Sequence, residues 1–224
     1  MCSTQPTPRI KVTITLSRLS HSFSRDDLPP LVTLKITSSP ENPSVITLYT
    51  QDSPLFLPQG LTTRGFTLFN LSSQSFIETA TFRINRAPLD RIKGSPDNKF
   101  FLTLSPGEEI SISAPFGRGG GVNKIRPQPK AIAEKGWELN DDGTERKTRR
   151  PNQPIGVDGL EPGVRYKIGL NEEKLKEIWW APVPKEDILV EKDQREIGYV
   201  QDYEGWVKGG LEFEVEWTEV LVEK

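Results

Sequence analysis

Apolar and polar residues alternate in short runs along the first half of the chain, and this pattern predicts β-strands. Residues 10–16 alternate between isoleucine, valine or leucine and lysine or threonine, and residues 32–37 repeat the pattern. A period of two is typical of a strand that buries one face. The strands predicted before residue 116 cover residues 10–16, 32–37, 45–49, 66–71, 77–84, 100–104 and 110–114. Seven short strands separated by turn signals are typical of an all-β sandwich.

The second half of the chain has a mixed pattern. Residues 171–180 read as helical, and Pro184 can open a short helix because proline suits the first helical position. Residues 211–217 alternate most clearly, with four apolar residues that end in Trp217 on one face and three glutamates on the other. We predict that the apolar face belongs to the core. The glutamate face must then be solvated or lie opposite a basic surface.

Two Pro-Gly turns mark corners of the predicted sandwich. Residues 104–107 read Leu-Ser-Pro-Gly, and residues 160–163 read Leu-Glu-Pro-Gly. Proline sets φ for the first central position of a type I or II turn, and glycine accepts the positive φ that a type II turn needs next. The leucine that leads each turn, Leu104 or Leu160, is in place to enter the core.

The second of these turns carries a family resemblance. Residues 159–170, with Tyr166 three residues after Gly163, resemble the tyrosine corner of fibronectin type III and immunoglobulin-like β-sandwiches. The resemblance implies that Tyr166 hydrogen-bonds to the backbone upstream of it. The turn, the helical segment and the Trp-Trp pair that follow are also similar to uncharacterised predicted proteins of filamentous fungi. Neither resemblance implies an activity, because a fold does not fix a function.

A basic segment rich in glycine and proline interrupts the strand pattern at about residues 115–158. Residues 117–150 carry nine Lys and Arg against five Asp and Glu, whereas residues 171–224 carry seven against fifteen. We predict an irregular, exposed insertion within a single sandwich domain that spans residues 1–224. The basic loop can pair with the acidic C-terminal part of its own chain or form a partner surface.

Length and composition limit the class of protein. The 224 residues are 34% hydrophobic and include 19 prolines, which fits one core with long loops. The net charge is −2, so bulk charge favours no class of partner. Cys2 is the single cysteine, so we expect no intrachain disulfide. The first residues lack the pattern of a signal peptide, and no segment has the roughly 18 apolar residues of a membrane span. We therefore expect a cytoplasmic location.

The residue types behind most catalysis are scarce. His21 is the one histidine, and we predict a polar loop around it. One histidine and one cysteine cannot supply the common structural zinc sets, which take four such ligands. The glycines of residues 117–121 match neither the dinucleotide-binding nor the P-loop spacing, and they are typical of a linker. Residues 141–143 are typical of a solvated turn. We expect no catalytic set, no metal site and no cofactor.

Basic residues and tryptophans supply the candidate binding surface. The basic loop carries interleaved acids and no RNA-binding signature, so nucleic acid is not an expected partner. Exposed tryptophans on a sandwich can form a platform for sugar rings or anchor a protein partner, although two consecutive tryptophans do not easily face the same way. The candidate surface consists of Arg118, Lys124, Arg126, Lys147, Arg149, Arg150, Trp179, Trp180 and Trp206.

Together these observations favour an all-β Greek-key sandwich of the immunoglobulin or fibronectin type, with a long loop insertion and a short helix. The predicted function is that of a non-enzymatic intracellular interaction module for a protein partner, with no membrane contact. One alternative is a carbohydrate-binding sandwich that uses exposed tryptophans. The other is an enzyme that works through carboxylates alone, which requires two acids within about 5–10 Å of each other in a cleft.

Overall fold

The chain is built mainly of β-strands, so the predicted all-β class is confirmed. The computed structural model describes residues 7–23, 28–78, 88–117, 135–139, 142–147, 156–157, 159–192 and 198–223. The first eight strands are β1 (Arg9–Leu16), β2 (Ser20–His21), β3 (Leu31–Ser38), β4 (Ile46–Tyr49), β5 (Phe66–Asn70), β6 (Ser75–Ile77), β7 (Phe101–Leu104) and β8 (Glu109–Pro115). The next seven are β9 (Trp137–Leu139), β10 (Glu145–Lys147), β11 (Arg165–Leu170), β12 (Trp179–Ala181), β13 (Val207–Lys208), β14 (Glu212–Glu216) and β15 (Thr218–Val222).

The helices in the described ranges are short. The α-helices cover Leu57–Gly60, Glu172–Lys176 and Lys185–Ile188, and the 3₁₀ helices cover Pro96–Phe100 and Val200–Asp202. Within these ranges, no helix has the length and apolar character that a membrane crossing requires.

The first sheet has the strand order β14-β1-β3-β8 and is mixed, because β14 runs parallel to β1 while the other pairs are antiparallel. Alternate residues of β1 and β3 are buried, and Val12 and Leu34 have no exposed surface. The alternation predicted for both strands is therefore confirmed. One face of each strand enters the core and the other carries lysines and threonines.

The second sheet has the strand order β2-β15-β11-β5-β6. Strand β11 lies between β15 and β5 and is antiparallel to both. Strands β5 and β6 form a hairpin where the sequence predicts one, but β6 begins at Ser75, two residues before the predicted strand. Residues 79–87, which include most of the second strand predicted for that hairpin, lie outside the described residues.

The third sheet has the strand order β13-β12-β4-β7 and is antiparallel throughout. Its inner face contributes Leu48, Leu104 and Trp180 to the main hydrophobic core, which it shares with the first two sheets. Its outer face is covered by a second, smaller cluster of apolar residues, here called the outer core. The buried members of the outer core are Leu89, Phe100, Phe101, Ala181, Ile188 and Val200.

Both Pro-Gly turns have the predicted geometry. Gly107 and Gly163 have φ values of 77° and 83°, in the region that type II turns need and that glycine tolerates best. The leading residues Leu104 and Leu160 have no exposed surface. Each turn therefore drives a leucine into the core, as the sequence predicts.

Tyr166 follows the second turn and is fully buried. The backbone N–H of Glu161 donates to its hydroxyl oxygen at 2.9 Å, which is the upstream contact predicted for this tyrosine. Burial raises the pKa of the Tyr166 hydroxyl, so the neutral form makes the contact. Membership of the fibronectin or immunoglobulin-like class stays a prediction.

The glutamate face of β14 lies opposite basic side chains of β1. Arg9 Nε lies 2.8 Å from Glu212 Oε2, and Lys11 Nζ lies 2.5 Å from Glu216 Oε1. Among the described residues, the basic partner of this acidic strand is therefore β1. These ion pairs are exposed, and they lie along the parallel register of the β1 and β14 backbones.

The core role predicted for Trp217 is wrong. The side chain is 37% exposed and lies between β14, in the first sheet, and β15, in the second. Because the chain changes sheets at this residue, the alternation of β14 does not continue into the core. The indole instead packs against Gly169, where an added Cβ would overlap the ring.

The polar loop predicted around His21 is also wrong in part. Ser20 and His21 form β2, which pairs in parallel with β15, and His21 is 1% exposed. Its ring lies edge-on to Phe23 at 5.1 Å and to Phe116 at 5.9 Å. The histidine therefore lies in an apolar, aromatic environment.

The helix predicted over residues 171–180 is present over Glu172–Lys176 only. The Asn171 side chain accepts a hydrogen bond from the Lys174 N–H and caps this helix. Trp179 and Trp180 belong to β12, because pairing with β4 and β13 overrides the local helical pattern. The short helix predicted near Pro184 is confirmed over Lys185–Ile188.

The segment predicted as an irregular insertion contains regular structure. Strands β9 and β10 pair antiparallel as a hairpin, and Trp137 at its start is 40% exposed. At the base of the insertion Gly117 contacts Val157, since a Cβ added to the glycine would lie 2.9 Å from Val157 Cγ2. The two ends of the insertion, at Gly117 and Val157, therefore lie side by side next to the core.

Candidate functional site

A row of side chains crosses the outer face of the third sheet. Phe101, Tyr49, Trp179 and Lys208 occupy directly opposed positions on β7, β4, β12 and β13. Directly opposed residues of neighbouring strands project from the same face of a sheet. The register therefore places three aromatic rings and one ammonium group side by side. The centroids of the Tyr49 and Trp179 rings are 6.3 Å apart, and those of Tyr49 and Phe101 are 5.7 Å apart.

The two consecutive tryptophans of β12 point to opposite faces, as the sequence predicts. Trp180 packs against the main core, and its indole N–H donates to the Gly209 carbonyl at 2.7 Å. Trp179 belongs to neither hydrophobic core among the described residues and is half-buried on the outer face. Of this pair, only Trp179 is placed to meet a ligand.

Trp206 packs against all three rings of the aromatic row. Its ring is stacked on Phe101 at 6.2 Å and lies 6.0 Å from Tyr49 and 6.4 Å from Trp179. Its indole N–H donates to the Val200 carbonyl at 2.8 Å, which fixes the ring. Trp206 therefore supports Tyr49 and Trp179 from the side of the outer core.

A cleft with a volume of about 290 Å³ lies at the end of the row that Trp179 and Lys208 form. Its floor includes the aromatic pair Tyr49 and Trp179, and its walls carry polar and charged side chains. We call it the Trp179 cleft. The lining residues are Tyr49, Gln51, Asp52, Ser53, Lys174, Glu177, Ile178, Trp179 and Lys208.

One wall of the Trp179 cleft is the turn that follows β4. The Ser53 hydroxyl donates to the Thr50 carbonyl at 2.7 Å, and the Tyr49 hydroxyl donates to Gln51 Oε1. Asp52 at the tip of the turn is exposed and has a φ of 56°, a left-handed conformation that aspartate adopts more readily than most residues. These contacts fix the turn and present the Asp52 carboxylate at the rim.

The opposite wall is the end of the helix Glu172–Lys176. The Asn171 amide donates to the Arg64 carbonyl at 3.0 Å, and the Lys174 ammonium donates to the Thr63 carbonyl. Burial lowers the pKa of Lys174, and the Arg64 charge acts in the same direction, whereas the Asp52 carboxylate opposes the shift. Lys174 is therefore a structural anchor as well as a lining residue.

The charges around the Trp179 cleft are balanced. Two carboxylates, Asp52 and Glu177, face two ammonium groups, Lys174 and Lys208. Both carboxylates are exposed to solvent. The arrangement offers an aromatic surface edged by hydrogen-bond donors and acceptors, which is the make-up of a binding site.

The structure separates the predicted surface residues. Trp179 and Trp206 come together, and Trp180 turns away. Lys147 belongs to β10, in the hairpin of the insertion. The other basic residues of the predicted surface lie outside the described residues: Arg118, Lys124, Arg126, Arg149 and Arg150.

Sequence reasoning missed most of the cleft, including Tyr49, Asp52, Glu177 and Lys208. The capping residue Asn171, followed by two glutamates, signals the start of the helix that forms one wall. No local signal reveals that β12 pairs with β4, and this pairing is what brings the walls together.

Within the described ranges, no group of three or more His, Cys, Asp or Glu side chains gathers as metal ligands would. A comparison of the chain with protein-family models finds no match, and a comparison with curated proteins finds none either.

Proposed function

We propose that this protein is a non-enzymatic interaction module that binds its ligand in the Trp179 cleft. The observation that carries the proposal is the position of Trp179, half-buried on the floor of a cleft that polar side chains surround. Binding sites commonly combine an aromatic surface with a few polar groups that fix orientation. A tryptophan in such a position is also the residue type most often found as an energetic anchor of interfaces.

The neighbours of Trp179 support this role. Trp180 and Trp206 are each held by a hydrogen bond from the indole N–H to a backbone carbonyl, so their positions have a structural explanation. Trp179 rests against Tyr49 and Trp206 and faces the cleft with the rest of its surface. The supporting rings make the site rigid, which lowers the entropic cost of binding.

The acids of the cleft are assigned to binding. Asp52 and Glu177 are the pair that a carboxylate-only enzyme would use here, and both are exposed. General acid catalysis on sugars needs a carboxyl group held in an apolar environment, which exposure to solvent does not provide. The non-enzymatic proposal therefore predicts that a bound oligosaccharide is recovered intact after prolonged incubation, as checked by mass spectrometry.

For the fold we propose the Greek-key sandwich of the immunoglobulin or fibronectin type. Three features support this assignment: the shared core of the first two sheets, the Pro-Gly turn before Tyr166 and the hydrogen bond from the Glu161 N–H to that tyrosine. The cytoplasmic location and a role for the basic loop in partner binding stay predictions.

The proposal is tested by comparing three forms of the full chain as bait in quantitative pull-downs from native cell extract. They are the wild type, Trp179→Ala and the matched control Trp137→Ala, which removes an exposed tryptophan from the separate hairpin. We expect partners that the wild type and the control retain equally and that Trp179→Ala loses. Partners that bind all three forms equally would contradict the proposal, and so would the absence of any protein partner or small ligand whose binding depends on Trp179. Thermal melts of the three forms check that each is folded.

A further inference from the structure

We infer that the ligand of the Trp179 cleft is a neutral saccharide unit, which stacks on Trp179. This inference rests on the proposed binding function and specifies its ligand class. A pyranose ring has one face of C–H groups and a rim of hydroxyl groups. It therefore needs an aromatic face beneath it and hydrogen-bonding groups around it, and the cleft supplies both.

The aromatic face comes from Trp179 with Tyr49 beside it. Their centroids are 6.3 Å apart with planes inclined at 44°, so the two rings present adjacent aromatic surfaces to the cleft. The π-face of an aromatic ring carries partial negative charge, which attracts the slightly positive C–H groups of a sugar. Trp206 packs against both rings and restricts their movement.

The rim of the cleft supplies both hydrogen-bond donors and hydrogen-bond acceptors. Gln51, Asp52 and Glu177 carry oxygen acceptors, and Lys208 carries an ammonium donor. Hydroxyl groups act as donor and acceptor at once, so a saccharide can use every group of this rim. A phosphate or a carboxylate would meet Asp52 and Glu177 as repelling charges, and a cation would meet Lys208.

The balance of charge supports a neutral ligand. Two carboxylates, Asp52 and Glu177, and two ammonium groups, Lys174 and Lys208, line the cleft. The Thr63 carbonyl that accepts from Lys174 is neutral, so this hydrogen bond does not cancel the charge of the ammonium group. An anion or a cation would therefore meet repelling as well as attracting groups, whereas a neutral ligand meets no net charge.

The size of the cleft fits a small unit. Its volume of about 290 Å³ is at the lower end of the roughly 300–1,000 Å³ that small-molecule sites span. The cleft is open at the surface, so a longer chain can place one or two rings in it and extend outward. We therefore expect oligosaccharides to bind more tightly than single sugars.

The test is a titration of the full chain with neutral oligosaccharides, monitored by tryptophan fluorescence and calorimetry. The probes are cello-, chito-, laminari-, xylo- and manno-oligosaccharides, with a sulfated oligosaccharide and inorganic phosphate as anionic comparisons. We expect at least one neutral family to bind, with Trp179→Ala weakening it by about tenfold or more and Trp137→Ala leaving it unchanged. Lys208→Ala, an exposed rim change that keeps the aromatic row, should weaken the same ligand several-fold.

The outcomes separate this inference from the proposed function. If no neutral probe binds while pull-downs still show Trp179-dependent partners, the saccharide assignment fails and the binding module stands. Binding only to the anionic probes, or binding that Trp179→Ala and Lys208→Ala both leave intact, also overturns the assignment. If neither a saccharide nor a Trp179-dependent partner is found, both proposals fall.

Discussion

At the residue scale, Tyr166 shows most clearly how one side chain closes a corner of the fold. The ring fills the main core, and its hydroxyl satisfies the Glu161 N–H, a backbone donor in the turn. Replacing Tyr166 by phenylalanine keeps the apolar ring and removes the acceptor of that N–H. We expect Tyr166→Phe to lower the free energy of unfolding by about 0.5–1.5 kcal/mol, the net contribution of one hydrogen bond, because the Glu161 N–H is only partly buried.

Urea denaturation of the wild type, Tyr166→Phe and the control Tyr199→Phe measures this effect. Tyr199 is 43% exposed, so its hydroxyl can exchange a lost contact for water and the control should change little. Equal stability of all three proteins would show that the corner hydrogen bond contributes nothing.

At the element scale, the exposed ion pairs between β1 and β14 fasten the C-terminal strand. The Lys11 hydrogen bond and charge lower the pKa of Glu216, and the Thr13 hydroxyl assists. A carboxyl group whose folded pKa lies below its unfolded value stabilises the fold at pH values above the unfolded value. That contribution is lost as the pH falls from about 4.5 through the folded pKa.

Glu216→Gln should therefore reduce stability at neutral pH and low salt, with a difference from the wild type that shrinks at low pH. About 1 M salt should also remove most of this stability difference, because the Debye length is then about 3 Å and the ion pair is screened. The matched control is Glu219→Gln on β15. Thermal melts as a function of pH and salt measure the effect, and a difference that persists at pH 3 and at high salt would rule out the electrostatic explanation.

The same scale shows where sequence reasoning succeeds and where it stops. Alternation in β1 and β3 and the two Pro-Gly turns are local patterns, so they were predicted correctly. The local pattern predicts a helix at the position of β12, because its pairing partners β4 and β13 are distant in sequence. Only pairing with these two strands makes Trp179 part of a sheet. The sequence marks Trp179 and Trp206 as candidates for binding, but Tyr49, Asp52 and Glu177 join the site through tertiary contacts alone.

Trp217 illustrates the same limit from the opposite direction. Its alternation with the residues of β14 is correct, yet it is partly exposed because the chain changes sheets there. A hydrophobic pattern shows which face of a strand is apolar, whereas the point at which the strand leaves its sheet depends on the neighbouring strands.

At the scale of the whole molecule, the described residues show how the two ends of the insertion meet beside the core. Gly117 and Val157 are in contact, so a short linker can connect the two sides of this base. We expect a variant in which a short Gly-Ser linker replaces residues 119–155 to unfold cooperatively, with a Tm within a few degrees of the wild type, because loop length changes stability only weakly. A variant without a cooperative transition would show that the insertion contributes to the core.

Binding of the ligand over Trp179 can be followed at the indole N–H groups, because each of the five tryptophans gives its own NMR signal. The measurement is a ¹⁵N–¹H NMR titration of the full chain with the neutral oligosaccharide panel, with signals assigned through single Trp→Phe variants. We predict that the Trp179 signal shifts most, that Trp206 responds weakly as its neighbour, and that Trp137 and Trp217 stay in place. A saturating ligand that moves Trp137 or Trp217 and leaves Trp179 unchanged would contradict the account.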